Sequence, residues 1–314
     1  MVSVKVRTVS EVANRIRLYE LVPLDGGTSL PPFTAGAHVA VKLSVGERQY
    51  SLCNDPSERH RYVIAVQRED AGRGGSAEVH RSLHVGDVVE IRDPVNHFAL
   101  SDRDVSRILI AGGIGITPIL SMARALTRSG QVFSIAYLTR SPEDAAFLDE
   151  LARFKDTGVD VIVHHDSTAG GQLFDLRGLL ADAAGSEVYC CGPAGLMAAV
   201  AASAAHLPPA DVRFEHFSAN AELHKEDDPT FEVVLGKTGK RLFVPADRTI
   251  LDVLLEAGCQ VDFSCEEGTC GTCITRLLAG EADHRDVVLN PEERETHILV
   301  CCSRANSPSL TLDL

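Results

Sequence analysis

Positive charge is in short supply in this 314-residue chain, where 30 Lys and Arg stand against 44 Asp and Glu for a formal net charge of −14. A surface selected for nucleic acid or an anionic membrane carries the opposite excess, so both partner classes are set aside. The acidic balance suits a basic patch on another protein, or plain solubility. Long apolar runs are missing too. The longest, around Arg107-Ile-Leu-Ile-Ala-Gly-Gly-Ile, falls well short of the ~20 residues that a membrane-spanning helix needs. The start, Met1-Val-Ser-Val-Lys-Val, goes straight into strand-like alternation without the apolar core of a secretory signal. There are no internal repeats and no low-complexity tracts. These absences point to a cytoplasmic chain, in which nine cysteines, an odd count, read as reduced thiols or metal ligands rather than disulfides.

What is present is globular in composition, with 45% hydrophobic and 24% charged residues. The length exceeds one modest core and predicts two or three domains. Residues 1–103 read as short strands separated by Gly, Pro, Asp and Ser: Val2–Val9, Asn14–Leu21, His38–Leu43, Arg48–Leu52, Tyr62–Val66 and Val88–Asp93. That pattern predicts a small antiparallel barrel. From Ser106 the period changes. Strands at Ile108–Ala111, Phe133–Leu138, Val159–Val163 and Glu187–Cys190 alternate with helices at Pro118–Ser129, Glu143–Arg153 and from about Ala194. Such alternation predicts crossover units on a mostly parallel sheet. The polar stretch 219–229 reads as a linker. Beyond it come a hairpin, Phe231–Leu235 with Lys240–Val244, a short helix at Ile250–Ala257 and a last strand at Leu310–Leu312.

The cysteines carry the sharpest signal. Cys265, Cys270 and Cys273 give C-x4-C-x2-C, and Cys301 lies well downstream. This is plant-type ferredoxin spacing: two irons need four thiolates, and three must reach the cluster from one loop. Gly268 and Gly271 let that loop turn tightly with backbone N–H groups facing the sulfurs. A zinc site is the alternative, since C-x2-C alone is a common zinc knuckle. Of the adjacent pair Cys301 and Cys302, ferredoxin form selects Cys301 and leaves Cys302 as a buried thiol. Cys53, Cys190, Cys191 and Cys259 read as small core residues.

Two further motifs concern nucleotides. Ala111-Gly-Gly-Ile-Gly-Ile-Thr-Pro118 joins an apolar strand to a helix, a place where backbone can approach a pyrophosphate at a helix N-terminus. Tyr189-Cys-Cys-Gly-Pro193 repeats the arrangement. In the barrel, Arg48-Gln-Tyr-Ser51 offers a phosphate-pairing guanidinium, an aromatic ring and a hydroxyl, and is otherwise an exposed strand end. Gly72-Arg-Gly-Gly-Ser76 reads as a flexible hairpin, or as a phosphate loop if a flavin is present.

In this order, R-x-Y-S, G-G-I-G-I-T-P and C-G-P resemble the ferredoxin–NADP reductase superfamily. With a plant-type ferredoxin appended, the whole chain resembles the phthalate dioxygenase reductase family, to which vanillate O-demethylase reductase belongs. Further stretches agree, among them Gly280-Glu-Ala-Asp-His-Arg-Asp286 and Cys301-Cys-Ser-Arg-Ala305. The resemblance implies a multidomain chain: an antiparallel β-barrel flavin domain at 1–103, an α/β NAD-binding domain with a parallel sheet at 104–222, and an α+β ferredoxin domain of β-grasp type at 229–314. It implies that Arg48, Tyr50, Ser51, Ala65, Val66, Gln67, Gly74, Gly75 and Ser76 bind the flavin. Gly112, Gly113, Gly115, Thr117, Cys191, Gly192 and Pro193 would line the nicotinamide pocket. Phe217 would be the aromatic that covers the flavin, or else a core residue. No side chain acts as catalytic acid or base, because the cofactors carry the chemistry. The cofactors implied are FMN (FAD in some longer relatives), a [2Fe–2S] cluster and NADH. The implied partner is a Rieske non-haem iron oxygenase of aromatic or quaternary-amine catabolism, served by a monomer. Glu266 and Glu267 are candidates for that contact, or simply solvated surface. The alternatives are an FAD reductase for another acceptor, such as a cytochrome P450 or a hybrid-cluster protein, and a non-enzymatic zinc adaptor.

Overall fold

The computed structural model describes residues 1–24, 29–72, 74–217, 223, 227–263 and 265–314. They divide into two compact units, Met1–Glu215 and His216–Leu314.

The first unit opens with six strands: β1 (Val2–Ala13), β2 (Ile16–Pro23), β3 (His38–Leu43), β4 (Gly46–Ser51), β5 (Tyr62–Gln67) and β6 (Val88–Ile91). They pair antiparallel in the order β4-β3-β6-β1-β2-β5. The two edges meet: Leu52 bridges to Ile64, and the Cys53 N–H donates to the Val63 carbonyl at 2.9 Å. The sheet is thereby closed into the expected barrel, which removes its free edges. Inward residues such as Val4, Val6, Leu21, Val39, Val41 and Ile64 fill it.

A helix not anticipated, α1 (Gly75–Ser82), lies against the barrel through Val79. The glycine stretch is therefore no hairpin. Gly74 takes a left-handed turn (φ 81°) and the chain goes directly into helix. Eight residues with one fully apolar anchor leave too little periodicity to read in advance. Arg73 of that motif lies outside the described residues.

The second half of this unit is a parallel sheet of β7 (Arg107–Gly112), β8 (Phe133–Thr139), β9 (Asp160–His165), β10 (Glu187–Cys191) and β11 (Val212–Glu215), in the order β11-β10-β7-β8-β9. The crossovers include α2 (Ile116–Ser129), α3 (Leu148–Asp156), α4 (Leu176–Leu180) and α5 (Ala194–Ser203). The single helix expected at Glu143–Arg153 is in fact a 3-10 turn at Pro142–Asp144 followed by α3, separated because Phe147 sits at φ 64°. No L-residue continues an α-helix through that conformation. Short α4 and uniformly half-buried β11 gave no readable pattern.

In the second unit, β12 (Phe231–Leu235), β13 (Arg241–Val244), β14 (Ile274–Ala279), β16 (His297–Leu299) and β18 (Ser309–Leu312) form a mixed sheet in the order β13-β12-β18-β14-β16, with β12 and β18 parallel. The pair β15 (Ala282–Asp283) and β17 (Arg304–Ala305) stands apart. Helix α6 (Ile250–Glu256), capped reciprocally by Thr249 and Asp252, buries Ile250, Leu251 and Leu254. A short α7 (Pro291–Arg294) precedes β16. This is the mixed sheet and helix of the expected ferredoxin unit. Within the stretch read as a linker, 219–222 and 224–226 lie outside the described residues. Its end is no solvated spacer: Asp228 is buried and takes both guanidinium ends of Arg285, one at 2.8 Å, with Arg304 at 3.6 Å. Two buried arginines need a carboxylate there to offset their desolvation. No helix among the described residues is long and apolar enough to cross a membrane.

Candidate redox site

Strands β7 and β10 are neighbours, with Ala111 opposite Cys191. From β7 the chain winds outward to β8 and β9, and β10 and β11 return on the other side. The order therefore reverses between β7 and β10, where open parallel sheets bind ligands beyond the strand ends. Both glycine motifs leave the sheet at this crevice. The α2 N-cap is Gly115 and the α5 N-cap is Pro193, and neither offers a side chain to the first-turn N–H groups. The first-turn donors of α5 remain available to an anion, whereas at α2 the Ile116 N–H already donates to the Gly113 carbonyl and Pro118 has no N–H.

The two turns also touch. A Cβ on Gly115 would stand 2.2 Å from the Cys191 carbonyl oxygen, and one on Gly192 would stand 3.0 Å from Gly112 Cα. Gly113 needs its positive φ of 53°. Motifs far apart in sequence thus make one cradle that only glycine permits. Thr117 supports it from within: its hydroxyl donates to the Ile114 carbonyl at 3.0 Å, and the residue is buried. Gly115→Ala should push the turns apart. Overpacking of this kind costs about 1–3 kcal/mol, which is about a 5- to 150-fold rise in the KM for NADH. Steady-state kinetics on the flavin-loaded protein checks this, and an unchanged KM refutes the shared cradle.

The barrel residues gather at the seam. Arg48, Tyr50 and Ser51 lie on β4, and Ala65, Val66 and Gln67 on β5. Ala65 and Val66 are buried, so they offer backbone rather than side chain; the Val66 carbonyl already meets His80 Nε2 at 2.8 Å. Burial pushes the Tyr50 phenol well above its ordinary pKa. Arg48 lies across the start of α1, where a Cβ on Gly75 would stand 2.4 Å from Arg48 Cγ. The Gly74 N-cap offers no side chain, and the Ser76 hydroxyl accepts from the Glu69 N–H at 3.0 Å. A guanidinium beside an uncapped helix N-terminus fits a phosphate.

One residue of the site escaped the sequence. Glu215 ends β11 opposite Cys191. Half-buried, it meets the Cys191 thiol and the Ser51 hydroxyl, which donates to Oε2 at 3.5 Å. Desolvation pushes this carboxyl up to about 8, against the two hydrogen bonds that pull it down. Burial, with the neighbouring carboxyl, raises the Cys191 thiol as well. Ser51, Cys191 and Glu215 therefore meet where the barrel strand reaches the nucleotide crevice. A lone glutamate in Glu215-His-Phe-Ser218 looks like any surface acid, and only its partners Ser51 and Cys191 set it apart. Phe217, two residues on, is 45% exposed.

In the second unit, Cys265, Cys270, Cys273 and Cys301 are all buried. Their sulfurs lie within hydrogen-bond reach pairwise: Cys265 with Cys270 and with Cys301, and Cys273 with Cys301. The thiols of Cys270 and Cys301 hold Cys265 low, and sharing those bonds pushes Cys270 and Cys301 up. Among the described residues, no three His, Cys, Asp or Glu side chains close on the position of one ion. Four buried thiols in mutual contact, three from one loop and Cys301 from a distant segment, fit the ligand set of a two-iron centre.

The loop donates as expected, Glu267 N–H to Cys265 Sγ at 3.3 Å and Thr272 N–H to Cys270 Sγ at 3.4 Å. Gly268 and Gly271 are left-handed, at φ 69° and 70°. The Cys302 sulfur lies 3.8 Å from the Leu299 carbonyl and beneath Gly268, and it touches the four-thiol set through Cys301 alone. Cys53 and Cys190 are buried elsewhere, and Cys259 is half-buried.

Comparison with known proteins agrees with this geometry. Residues 233–306 match the 2Fe-2S iron-sulfur cluster binding domain, and residues 109–202 match the oxidoreductase NAD-binding domain. The chain is 46% identical to the phthalate dioxygenase reductase of Burkholderia cepacia over 313 residues, covering 99% of this chain and 96% of that one. It is 44% identical to a vanillate O-demethylase oxidoreductase of Pseudomonas sp. (strain HR199 / DSM 7063) over 320 residues, covering 100% of both. A solved phthalate dioxygenase reductase, described as a modular structure for electron transfer from pyridine nucleotides to [2Fe–2S], superposes with a TM-score of 0.73 at 45% identity, covering 100% of this chain and 98% of that one. An intact type IV self-sufficient cytochrome P450 monooxygenase gives 0.89 at 40% identity, where the match spans 99% of this chain but 41% of the larger one. A nucleotide cradle meeting a barrel strand, a four-thiol loop and full-length identity of this degree place the chain in the phthalate dioxygenase reductase family of oxidoreductases, with an NAD-binding domain joined to a [2Fe–2S] domain.

Proposed function

We propose that this chain is the NADH-dependent reductase component of a Rieske non-haem iron oxygenase, with FMN in the barrel and a [2Fe–2S] cluster as the outlet. Residues 1–103 would hold the flavin, 104–222 the nucleotide and 229–314 the cluster. One observation carries most of the weight: Ser51 of the barrel meets Cys191 and Glu215 at the nucleotide crevice. A flavin accepts a hydride from a reduced nicotinamide and releases electrons singly, and a two-iron cluster carries them one at a time.

The protein's part is placement. The glycine turns would set the dinucleotide at the start of α5, and Arg48 with the start of α1 would hold the flavin phosphate. Backbone of Ala65, Val66 and Gln67 and the Tyr50 ring would border the flavin. Near pH 7 the raised Glu215 carboxyl stays protonated, so it donates a hydrogen bond without placing a charge beside the reacting rings. Membership of the phthalate dioxygenase reductase family favours FMN over FAD. The acidic chain would act in the cytoplasm, as a monomer.

Arg48→Ala should loosen the flavin. A charge-assisted hydrogen bond is worth about 1.5–3 kcal/mol, so the flavin Kd should rise by about 10- to 150-fold. Fluorescence titration of the flavin-free protein reads it out, and full flavin retention after long dialysis removes Arg48 from the phosphate site.

The likeness to 41% of a self-sufficient P450 chain supports a second reading, in which the acceptor is a cytochrome P450. Purified Rieske oxygenases and P450s, each mixed with this protein and NADH, separate the two. Coupled NADH consumption with a P450 and none with any Rieske oxygenase would reverse the order of preference.

A further inference from the structure

Helix α2 does more than begin at the nicotinamide turn. Ser121, Arg124 and Arg128 are spaced so as to share one side of it, and all three reach the barrel. The Ser121 hydroxyl donates to the Asn54 carbonyl at 3.0 Å, Arg124 donates to the Cys53 carbonyl, and Arg128 pairs with the Asp55 carboxylate. The three acceptors are consecutive in the chain and directly follow Tyr50-Ser51-Leu52, the strand end that faces the flavin in the function proposed above.

Both ends of this contact are anchored. Cys53 is buried and bonded by its N–H to Val63, whose own N–H donates to Asn54 Oδ1 at 2.9 Å. The far side of the Arg124 guanidinium is held by Glu150 of α3. Nearer the start of α2, Ile114 of the glycine turn packs with Ile16, Ala65 and Ala146. The helix and the turn before it thus meet the barrel at two places, beside Ala65 of β5 and at residues 53–55 just after β4.

We propose that Arg124, flanked by Ser121 and Arg128, is a positioning residue that sets the distance between the flavin strand and the nicotinamide turn. The inference rests on the function proposed above. Hydride transfer needs reacting atoms about 3–3.5 Å apart, and a misplacement of about 1 Å can cost about 100-fold. An α-helix is a stiff rod with a rise of about 1.5 Å per residue, so Arg124 fixes the barrel about 12 Å along α2 from its first residue. A guanidinium donating to a carbonyl that water does not reach makes a stronger tie than a neutral hydrogen bond. Arg124 touches neither ring. Its effect should appear in the rate and not in binding.

The test compares Arg124→Ala, Arg124→Lys and Ser121→Ala in the full chain loaded with FMN. For Arg124→Ala, flavin content and the KM for NADH should stay within about twofold of the parent, while the rate of flavin reduction falls about 10- to 100-fold. The long-wavelength charge-transfer absorbance produced by stacked nicotinamide and flavin should weaken in parallel. Amides of residues 52–56 should exchange hydrogen faster even in the flavin-free chain. Arg124→Lys, which can still reach one carbonyl, should recover part of the rate. Ser121→Ala loses one neutral hydrogen bond and should slow reduction about threefold; it decides the matter if Arg124→Ala does not fold. Full-rate reduction with unchanged charge-transfer absorbance in the folded variant overturns the proposal, and so does a loss that appears wholly in KM. A parent protein that binds no flavin, or whose flavin NADH does not bleach, overturns the proposed function instead.

Discussion

Cys270→Ser should abolish electron delivery to any protein acceptor while NADH still bleaches the flavin at close to the parent rate. A serine hydroxyl is a hard, weakly acidic donor where a two-iron centre takes soft thiolates, so one of the four ligands is lost outright. Cys270 belongs to the linked set of sulfurs and takes a hydrogen bond from the Thr272 N–H, so the loop around it is built for a charged sulfur. Removing an outer-shell partner of a metal typically costs about 10- to 100-fold; removing a ligand should exceed that and leave only background acceptor reduction. The two units explain why the first step survives. The cradle and the flavin strand lie within Met1–Glu215, whereas the thiols lie within His216–Leu314. Anaerobic stopped-flow at the flavin band, beside acceptor reduction and an iron assay, separates the steps. Equal loss of both in a folded protein would sink the serial order.

The second large effect concerns Glu215. Removing a preorganised donor from an enclosed reacting site costs about 10²- to 10³-fold in rate, and Glu215→Ala should fall at the lower end of that range. Glu215→Gln keeps the size and a neutral donor, so it should retain most of the activity while losing the pH dependence. The parent should slow as pH rises through about 8, where this carboxyl ionises beside the site. In the glutamine variant that limb should be flat.

Stability follows the same linkage. Folding raises this pKa, so the folded chain holds a proton that the unfolded chain has released once pH exceeds its own ordinary carboxylate value. The contribution of Glu215 is fully present below that value and is lost as pH rises to about 8. Urea unfolding at pH 5.5 and at pH 8.5 should show a decline in the parent that Glu215→Gln removes. An identical decline in both proteins would place the titrating group elsewhere.

How far these residues were legible depends on how local their chemistry is. The cluster loop was readable because its ligand spacing is written within a few residues and its glycines serve only that geometry. The glycine turns were readable one at a time for the same reason. Their contact was not, because the approach of Gly115 to Cys191 depends on β7 and β10 being neighbours. Asp228 shows the converse. Its polar surroundings suggest a spacer, yet two arginines distant in sequence bury it.

By itself the sequence determined the order of the three motif sets, the barrel-then-crossover pattern and the four thiols. Each is carried by periodicity or spacing over a short span, and local sterics and ligand number leave few alternatives. Only the tertiary structure decided that half-buried Glu215 meets Ser51 and Cys191, that α1 begins against Arg48, and that α2 reaches residues 53–55 of the barrel. Those facts arise from pairing and packing between distant segments, where desolvation and reach are properties of the folded neighbourhood and not of any residue's own letter.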